Sequence, residues 1–128
     1  MSKFELELVS PKTGVTIAIE SDDRCCYAYY TSAGNITGFV WLYNLGLNPM
    51  VIEGRSGNAV CNPNEYCKVP PISVGLVPDD FKGIWRERDG VLECAIYVRD
   101  KLTAVVGDGD QPGWCRNASV DGPFALTL

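Results

Sequence analysis

The residues of this chain that could do chemistry are carboxylates and cysteines, because its 128 residues include no histidine. Neither a Ser-His or Cys-His nucleophile pair nor a histidine acid–base catalyst can therefore form. Asp108-Gly109-Asp110 is an acid-x-acid pair whose oxygens could hold a divalent cation. No further ligands follow at calcium-loop spacing, and acidic Gly-rich segments are common surface turns. We interpret these residues, like Asp79-Asp80, as turn residues, and expect no metal, no cofactor and no enzyme activity.

Six cysteines, at positions 25, 26, 61, 67, 94 and 115, offer a second kind of chemistry. Cys94 and Cys115 stand among apolar neighbours, which predicts small core residues. Cys61 and Cys67 are spaced too widely for a zinc knuckle. They are the best candidates for a disulfide, but reduced thiols are the rule in a chain without a secretory signal.

The charge of the chain limits the kind of partner that it can bind. Its formal net charge is -5 and its pI is about 4.6. A nucleic-acid binder needs a basic stripe, and the densest basic stretch, Lys82 to Arg88, is interrupted by Glu87. An acidic surface suits a basic protein partner, although mild acidity also aids solubility. Met1–Glu7 resembles no signal peptide and no stretch is long enough to span a membrane, so we expect a cytoplasmic protein that binds neither nucleic acid nor membrane.

The pattern along the chain predicts a mainly β, or β-rich α+β, single domain over residues 1–128, built from consecutive antiparallel hairpins with little helix. Apolar residues alternate with polar ones in several short segments, whereas no ten-residue segment has a strong 3.6-residue period. Strands are predicted at 4–8, 15–20, 25–30, 36–43, 50–53 and 72–76. The long irregular segment Gly54–Lys68 is a further candidate for function, because long ordered loops often carry it.

The C-terminal third, Phe81–Leu128, contains the strongest hairpin signal, Asp89-Gly90 between two strand-like runs. Arg99-Asp100-Lys101 predicts a second turn, so the segment forms a three-stranded meander with a packed tail. Trp114 follows an acidic loop in this tail. Either it closes the end of the sheet, or it is an exposed anchor for a partner, since tryptophan is enriched at interfaces.

This C-terminal third resembles that of small bacterial immunity proteins encoded beside secreted polymorphic toxins, including type VI effectors. The resemblance rests on short pieces, which are Trp85 with Asp89-Gly90, Ala104 to Val106, Gly113-Trp114 with Arg116, and Pro123, Ala125 and Leu128. The matching residues look like turn and core positions, so they transfer no functional residue. The resemblance implies a cytosolic β-rich protein that binds one toxin domain and blocks its active site.

Two functions of different class follow from these observations. The first is an immunity protein that uses acidic loops against the basic active-site cleft of a cognate toxin. The second is a small cytosolic β-domain enzyme or ligand-binding protein that uses the Asp108/Asp110 loop. The absence of histidine and of any cofactor motif favours the first. The expected partner-binding residues lie in turns around the C-terminal meander, and are Asp79, Asp80, Asp108, Asp110, Trp114 and Asp121.

Overall fold

The computed structural model describes residues 4–22, 24–44, 62, 66–67 and 76–128. The described N-terminal part is an antiparallel sheet in which each strand pairs with the next along the chain. Because apolar and polar residues alternate along β2, one face of this sheet is buried and the other is more exposed. Its four strands are β1 (Phe4–Val9), β2 (Val15–Ser21), β3 (Cys25–Ser32) and β4 (Asn35–Asn44).

The C-terminal part forms a second sheet, preceded by one 3-10 turn at Pro78–Asp80. Its first four strands are antiparallel to their neighbours, and the last pair, β8 and β9, is parallel. The strands are β5 (Phe81–Arg88), β6 (Val91–Val98), β7 (Lys101–Gly107), β8 (Trp114–Cys115) and β9 (Leu126–Thr127). The described residues form no α-helix, so they contain no helix that is long and apolar enough to cross a membrane.

Three hairpins turn through two residues that both have positive φ, the conformation of a type I′ turn. They are Ala33-Gly34, Asp89-Gly90 and Arg99-Asp100. This turn matches the right-handed twist of the flanking strands, and it favours Gly, Asn and Asp. Asp89-Gly90 fits that preference, whereas Ala33 and Arg99 adopt a backbone conformation that their side chains disfavour.

Backbone hydrogen bonds join the segment 109–113 to β4, so β4 is covered along the side that β3 does not pair with. Phe39 N donates to Asp110 O at 2.9 Å, and Gly113 N donates to Phe39 O at 2.8 Å. Further along, Trp41 N donates to Phe124 O at 2.9 Å. Glycine at position 38 permits this approach, because a Cβ there would lie 2.7 Å from Gly107 O.

One cluster of buried side chains draws residues from both sheets. From the first sheet come Ile17, Ile19 and Val40, and from the second Ile96 and Val106, all with 0% exposure. Two edge-to-face aromatic pairs also link the sheets. The ring centroids of Phe4 and Phe81 are 5.6 Å apart, and those of Tyr30 and Trp85 are 6.2 Å apart. Apolar contact between the two inner faces therefore holds the sheets together.

The prediction of a mainly β, hairpin-built fold is confirmed, and the predicted strands at 4–8, 15–20, 25–30, 36–43 and along the C-terminal meander form. The division into two sheets and the parallel β8–β9 pair were not predicted. The predicted strand 50–53, almost all of 72–76, most of the Gly54–Lys68 segment, and Cys61 with its possible disulfide lie outside the described residues.

Candidate functional site

The turns and loops lie at two opposite ends of the sheets. We call the hairpin end the one formed by the turns 10–14, 33–34 and 89–90 and the loop 108–113. Ala33 N donates to Gly14 O at 3.0 Å, and Gly109 N donates to Thr37 O at 3.1 Å, which brings loops of the two sheets together there. The opposite end carries Pro78–Asp80 and the turn at Arg99-Asp100, where Arg99 N donates to Asp80 O at 2.8 Å.

The predicted partner-binding aspartates are divided between these ends. Asp108 and Asp110 lie at the hairpin end, whereas Asp79 and Asp80 lie at the other end of β5. An eight-residue strand separates the ends by about 23 Å at about 3.3 Å per residue. Asp121 lies beside the last strand, where its Oδ1 accepts hydrogen bonds from the Thr127 amide and hydroxyl, and these bonds lower the pKa of its carboxyl.

The prediction that all these aspartates are exposed turn residues holds for Asp79, Asp108 and Asp121, but Asp80 and Asp110 are only partly exposed. Asp80 Oδ2 accepts the Val77 N–H at 2.9 Å and lies 3.5 Å from Arg99 Nε. Asp110 Oδ2 accepts the Gly107 N–H at 2.8 Å. Both carboxylates thus help to shape their own loops.

Beside Asp110 lies a charged group that the sequence alone did not reveal. Glu93 is 5% exposed, and its Oε2 lies 2.6 Å from Arg86 Nε and 3.5 Å from Arg88 Nε. Burial raises the pKa of Asp110, the Gly107 N–H opposes that shift, and the nearby Glu93 carboxylate adds to it. At the hairpin end of the second sheet, five carboxylates therefore accompany two arginines. The carboxylates are those of Glu87, Asp89, Glu93, Asp108 and Asp110.

Trp114 belongs to a row of apolar side chains across the outer face of the second sheet. The register pairs Ile84 with Ala95, Ala95 with Val105, Val105 with Trp114 and Trp114 with Leu126. Directly paired residues place their side chains on the same face of a sheet. We call these five residues the Trp114 row. Trp114 is half-buried in it.

The buried residues of the Trp114 row are separate from the main core cluster. Ala95 and Val105 are 6% and 4% exposed, yet neither is part of the core cluster, which contains Cys94 and Ile96 on the opposite face of β6. Ile84, at the end of the row, is 56% exposed. The next row towards the hairpin end is the charged pair of Arg86 and Glu93, which the register places directly opposite each other.

A second acidic patch, which the sequence analysis missed, lies on the outer face of the first sheet. Glu5 and Glu20 are direct partners in the β1–β2 register, and Glu7 is two residues from Glu5. Burial raises the pKa of Glu20, and the like charge of Glu5 raises it further. The alternation of β1 and β2 could have placed all three on one face, but their pairing depends on the register.

Three of the five described thiols are too deeply buried to act as nucleophiles. Cys26, Cys94 and Cys115 are each 0% exposed, and burial raises the pKa of each to about 12. They therefore stay protonated at neutral pH, whereas nucleophilic attack requires the thiolate. The prediction that Cys94 and Cys115 are core residues is confirmed. No three Cys, Asp or Glu side chains in the described ranges are grouped so that they could hold a metal ion.

The chain matches no protein family model, no curated protein and no solved structure. The arrangement of its own residues is therefore the basis for a function.

Proposed function

We propose that this chain is an immunity protein that binds a cognate bacterial toxin domain and blocks its active site, with the outer face of the second sheet as the contact surface. The observation that carries the proposal is the Trp114 row, an apolar row separate from the main core cluster that lies next to the charged residues of the hairpin end. This location combines two features of protein interfaces, an apolar centre and a polar rim.

The composition of the row supports a protein partner rather than a small ligand. Tryptophan, the residue type of Trp114, is enriched among binding hot spots. Ile84 adds an exposed aliphatic side chain on the other side of Ala95 and Val105. A partner that covers the row removes Ile84 and Trp114 from water. Ala95 and Val105 between them are already almost fully buried, so Ile84 and Trp114 provide most of the apolar surface that a partner can cover.

The acidic loop supports a basic partner. Asp108 is exposed, and it is close enough to the buried Tyr30 to add to the effect of burial, which raises the pKa of that phenol. Asp108, Asp110 and Glu93 lie next to the row, so a toxin with a basic cleft would meet the apolar and acidic groups together. Such clefts bind anionic substrates, and carboxylates can occupy the same positive potential.

The alternative, an enzyme or ligand-binding protein built on Asp108 and Asp110, has less support. The Asp110 carboxylate is occupied by the Gly107 N–H, and the neighbouring Glu93 carboxylate is paired with Arg86 and Arg88. Of the two aspartates in this loop, Asp108 is the one whose carboxylate makes no hydrogen bond or ion pair within the described residues. A single exposed carboxylate does not provide the acid–base pair that hydrolytic chemistry requires.

Co-expression tests the proposal directly. The candidate partner is the C-terminal domain of the protein encoded beside this chain, expressed in bacteria with and without it. We expect growth arrest without the chain, rescue with it, and a complex that survives purification. Ile84→Lys should abolish rescue because it places a charge in the apolar row. Val77→Lys is the matched control, because Val77 is 51% exposed and lies at the end of the molecule opposite the hairpin end.

Trp114→Ala separates binding from folding. If Trp114 anchors the partner, affinity falls by about 2 kcal/mol or more, which is roughly a thirtyfold change in Kd. A residue whose role is packing instead lowers the unfolding free energy by about 3 kcal/mol. The proposed interface is wrong if Ile84→Lys and Trp114→Ala, both folded, rescue growth as well as the parent. The proposed function is wrong if the parent neither rescues growth nor forms a complex.

A further inference from the structure

A cavity of about 250 Å³ opens at the end of the molecule opposite the hairpin end. Its walls come from both sheets, with Tyr43 of β4 on one side and Val98, the last residue of β6, on the other. Leu76 also lines it, and both Tyr43 and Leu76 belong to the buried core. The wall is therefore apolar and held by packing. The volume equals that of about eight water molecules at about 30 Å³ each.

Three cations line the same cavity, namely Arg99, Lys101 and Arg116. They are three of the eleven Lys and Arg residues in a chain whose net charge is -5. Arg99 Nε lies 3.5 Å from Asp80, so a carboxylate partly offsets its charge. Within the described residues, Lys101 and Arg116 make no ion pair, in contrast to Lys82, which pairs with Asp100.

Backbone contacts hold Arg116 in place at this cavity. Its amide donates to Thr103 O at 2.7 Å, and its Nε donates to Leu102 O at 2.6 Å. The terminal N–H groups of the guanidinium make no hydrogen bond to the described residues, and they are the groups that bind carboxylates and phosphates in parallel pairs. Placing Lys101 and Arg116 beside one cavity costs like-charge repulsion, which a bound anion would relieve.

We propose that this cavity binds a small organic anion. Its carboxylate or phosphate group lies between Lys101 and Arg116, and its apolar body lies against Tyr43, Leu76 and Val98. The ligand class follows from the combination of an apolar wall with two uncompensated cations. An inorganic anion would leave the wall wet, and an uncharged apolar molecule would leave the cations unpaired. This site lies on neither the Trp114 row nor the acidic loop, so it is independent of the proposed immunity function.

Calorimetric titration with four probes tests the ligand class. Phenyl phosphate and benzoate carry both features, inorganic phosphate carries only the charge, and benzyl alcohol carries only the apolar body. We expect phenyl phosphate or benzoate to bind at least tenfold more tightly than inorganic phosphate and benzyl alcohol. Whichever of the two acids binds more tightly identifies the acid group that the site prefers. Affinity should also fall as salt is added, because the exposed charges are screened.

Substitution of the cations tests the location. Lys101→Met and Arg116→Met keep much of the side-chain length and remove the charge, and each should weaken phenyl phosphate binding about tenfold or more, as expected for a charge-assisted hydrogen bond. Lys82→Met is the matched control, because it removes an exposed lysine that does not line the cavity. Thermal unfolding shows whether each variant is still folded. The phosphorus resonance of phenyl phosphate shows whether the folded variant still binds the probe.

The proposal is overturned if the parent binds none of the four probes up to about 10 mM, a concentration that reveals even a millimolar Kd. It is overturned as well if the folded Lys101→Met and Arg116→Met variants bind phenyl phosphate as tightly as Lys82→Met does. If phenyl phosphate and inorganic phosphate bind with equal affinity, the apolar wall does not contribute to binding, and the proposed ligand class is wrong. None of these outcomes affects the growth-rescue experiment, which tests the proposed immunity function through the Trp114 row.

Discussion

At the residue scale, Ala33 is in the left-handed conformation at φ 53°, in an exposed type I′ turn. The left-handed conformation costs most residues other than glycine about 1–2 kcal/mol, whereas asparagine adopts it more readily because its short polar side chain can hydrogen-bond locally. We predict that Ala33→Asn raises the unfolding free energy by about 0.5–1 kcal/mol, measured by urea denaturation. Ser32→Asn, one residue earlier in the extended strand β3, is the control and should give no gain. A loss of stability in Ala33→Asn would contradict the assigned turn.

Glu20 is a carboxylate that opposes folding at neutral pH. Its pKa is raised in the folded state, by burial first and by Glu5 second, so the folded protein binds this proton more tightly than the unfolded chain does. Stability is therefore lost as pH rises from 4.5, the ordinary value, through the raised pKa. Glu20→Gln should raise the melting temperature at pH 7.

The same substitution should have a diminishing effect as pH falls, and almost no effect below about pH 3, where the carboxyl is protonated in both states. Thermal melts at several pH values measure this dependence. Glu87→Gln is a control, because Glu87 stands between Arg86 and Arg88 in the chain and not opposite another glutamate. A gain for Glu20→Gln that is the same at pH 4 and pH 7 would show that charge is not its cause.

At the element scale, the attachment of the segment 109–113 to β4 depends on Gly38. A Cβ at this position would lie 2.7 Å from Gly107 O and 2.9 Å from Asp110 O, and both atoms belong to backbone that cannot rotate away. We predict that Gly38→Ala lowers the unfolding free energy by about 3 kcal/mol, because the two segments must move apart. Amide hydrogen exchange at Gly109 and Gly113 should also become faster, since both donate to β4.

Gly90→Ala is the control for this element. It has a φ of +83° but open space around the site, so its cost is the conformational one of about 1–2 kcal/mol. If Gly38→Ala costs no more than Gly90→Ala, the close contact between β4 and the loop does not hold the two sheets together.

The hairpins of this protein could be predicted because their signals are local. Asp89-Gly90 supplies both residues that a type I′ turn prefers, and the alternation on either side sets the faces of β5 and β6. The parallel pairing of β8 with β9 could not be predicted in this way, because each strand is two residues long and carries no periodicity. Its formation depends on β7 and on contacts between residues far apart in sequence.

At the scale of the whole molecule, the division of the acidic residues between two ends predicts which charges steer a partner. Asp108 lies at the hairpin end beside the proposed interface, and Asp79 is an exposed aspartate at the opposite end. Asp108→Lys should slow association with the toxin domain by about tenfold at low salt, because electrostatic steering acts on the encounter rate. Biolayer interferometry at several salt concentrations measures the rate.

The matched control is Asp79→Lys, which changes the net charge by the same amount and should alter the association rate little. Asp108 is the better choice for reversal than Asp110, because Asp110 also bonds the Gly107 amide and its loss affects the loop. If the two reversals slow association equally, the partner responds to the total charge of the protein, and the hairpin end is not the interface.

The candidate site was only partly predictable for a reason that applies to the whole molecule. Asp108 and Trp114 could be identified from residue type and turn context alone. Glu93 could not, because its role depends on the register that places it opposite Arg86 and next to Asp110. The cavity beside Lys101 and Arg116 could not be predicted from the sequence either, since its walls come from strands that are more than fifty residues apart along the chain.

The pairing of Glu5 with Glu20 also affects how copies of the protein behave together. β1 is the outermost strand of the first sheet in the described part of the chain, and an outer strand can pair with a strand of a second copy. Glutamates on such a strand repel that copy, so the repulsion that weakens folding also protects the protein from aggregation. We expect Glu20→Gln to be more stable but less soluble, and the parent to begin to aggregate as the pH approaches its pI of about 4.6.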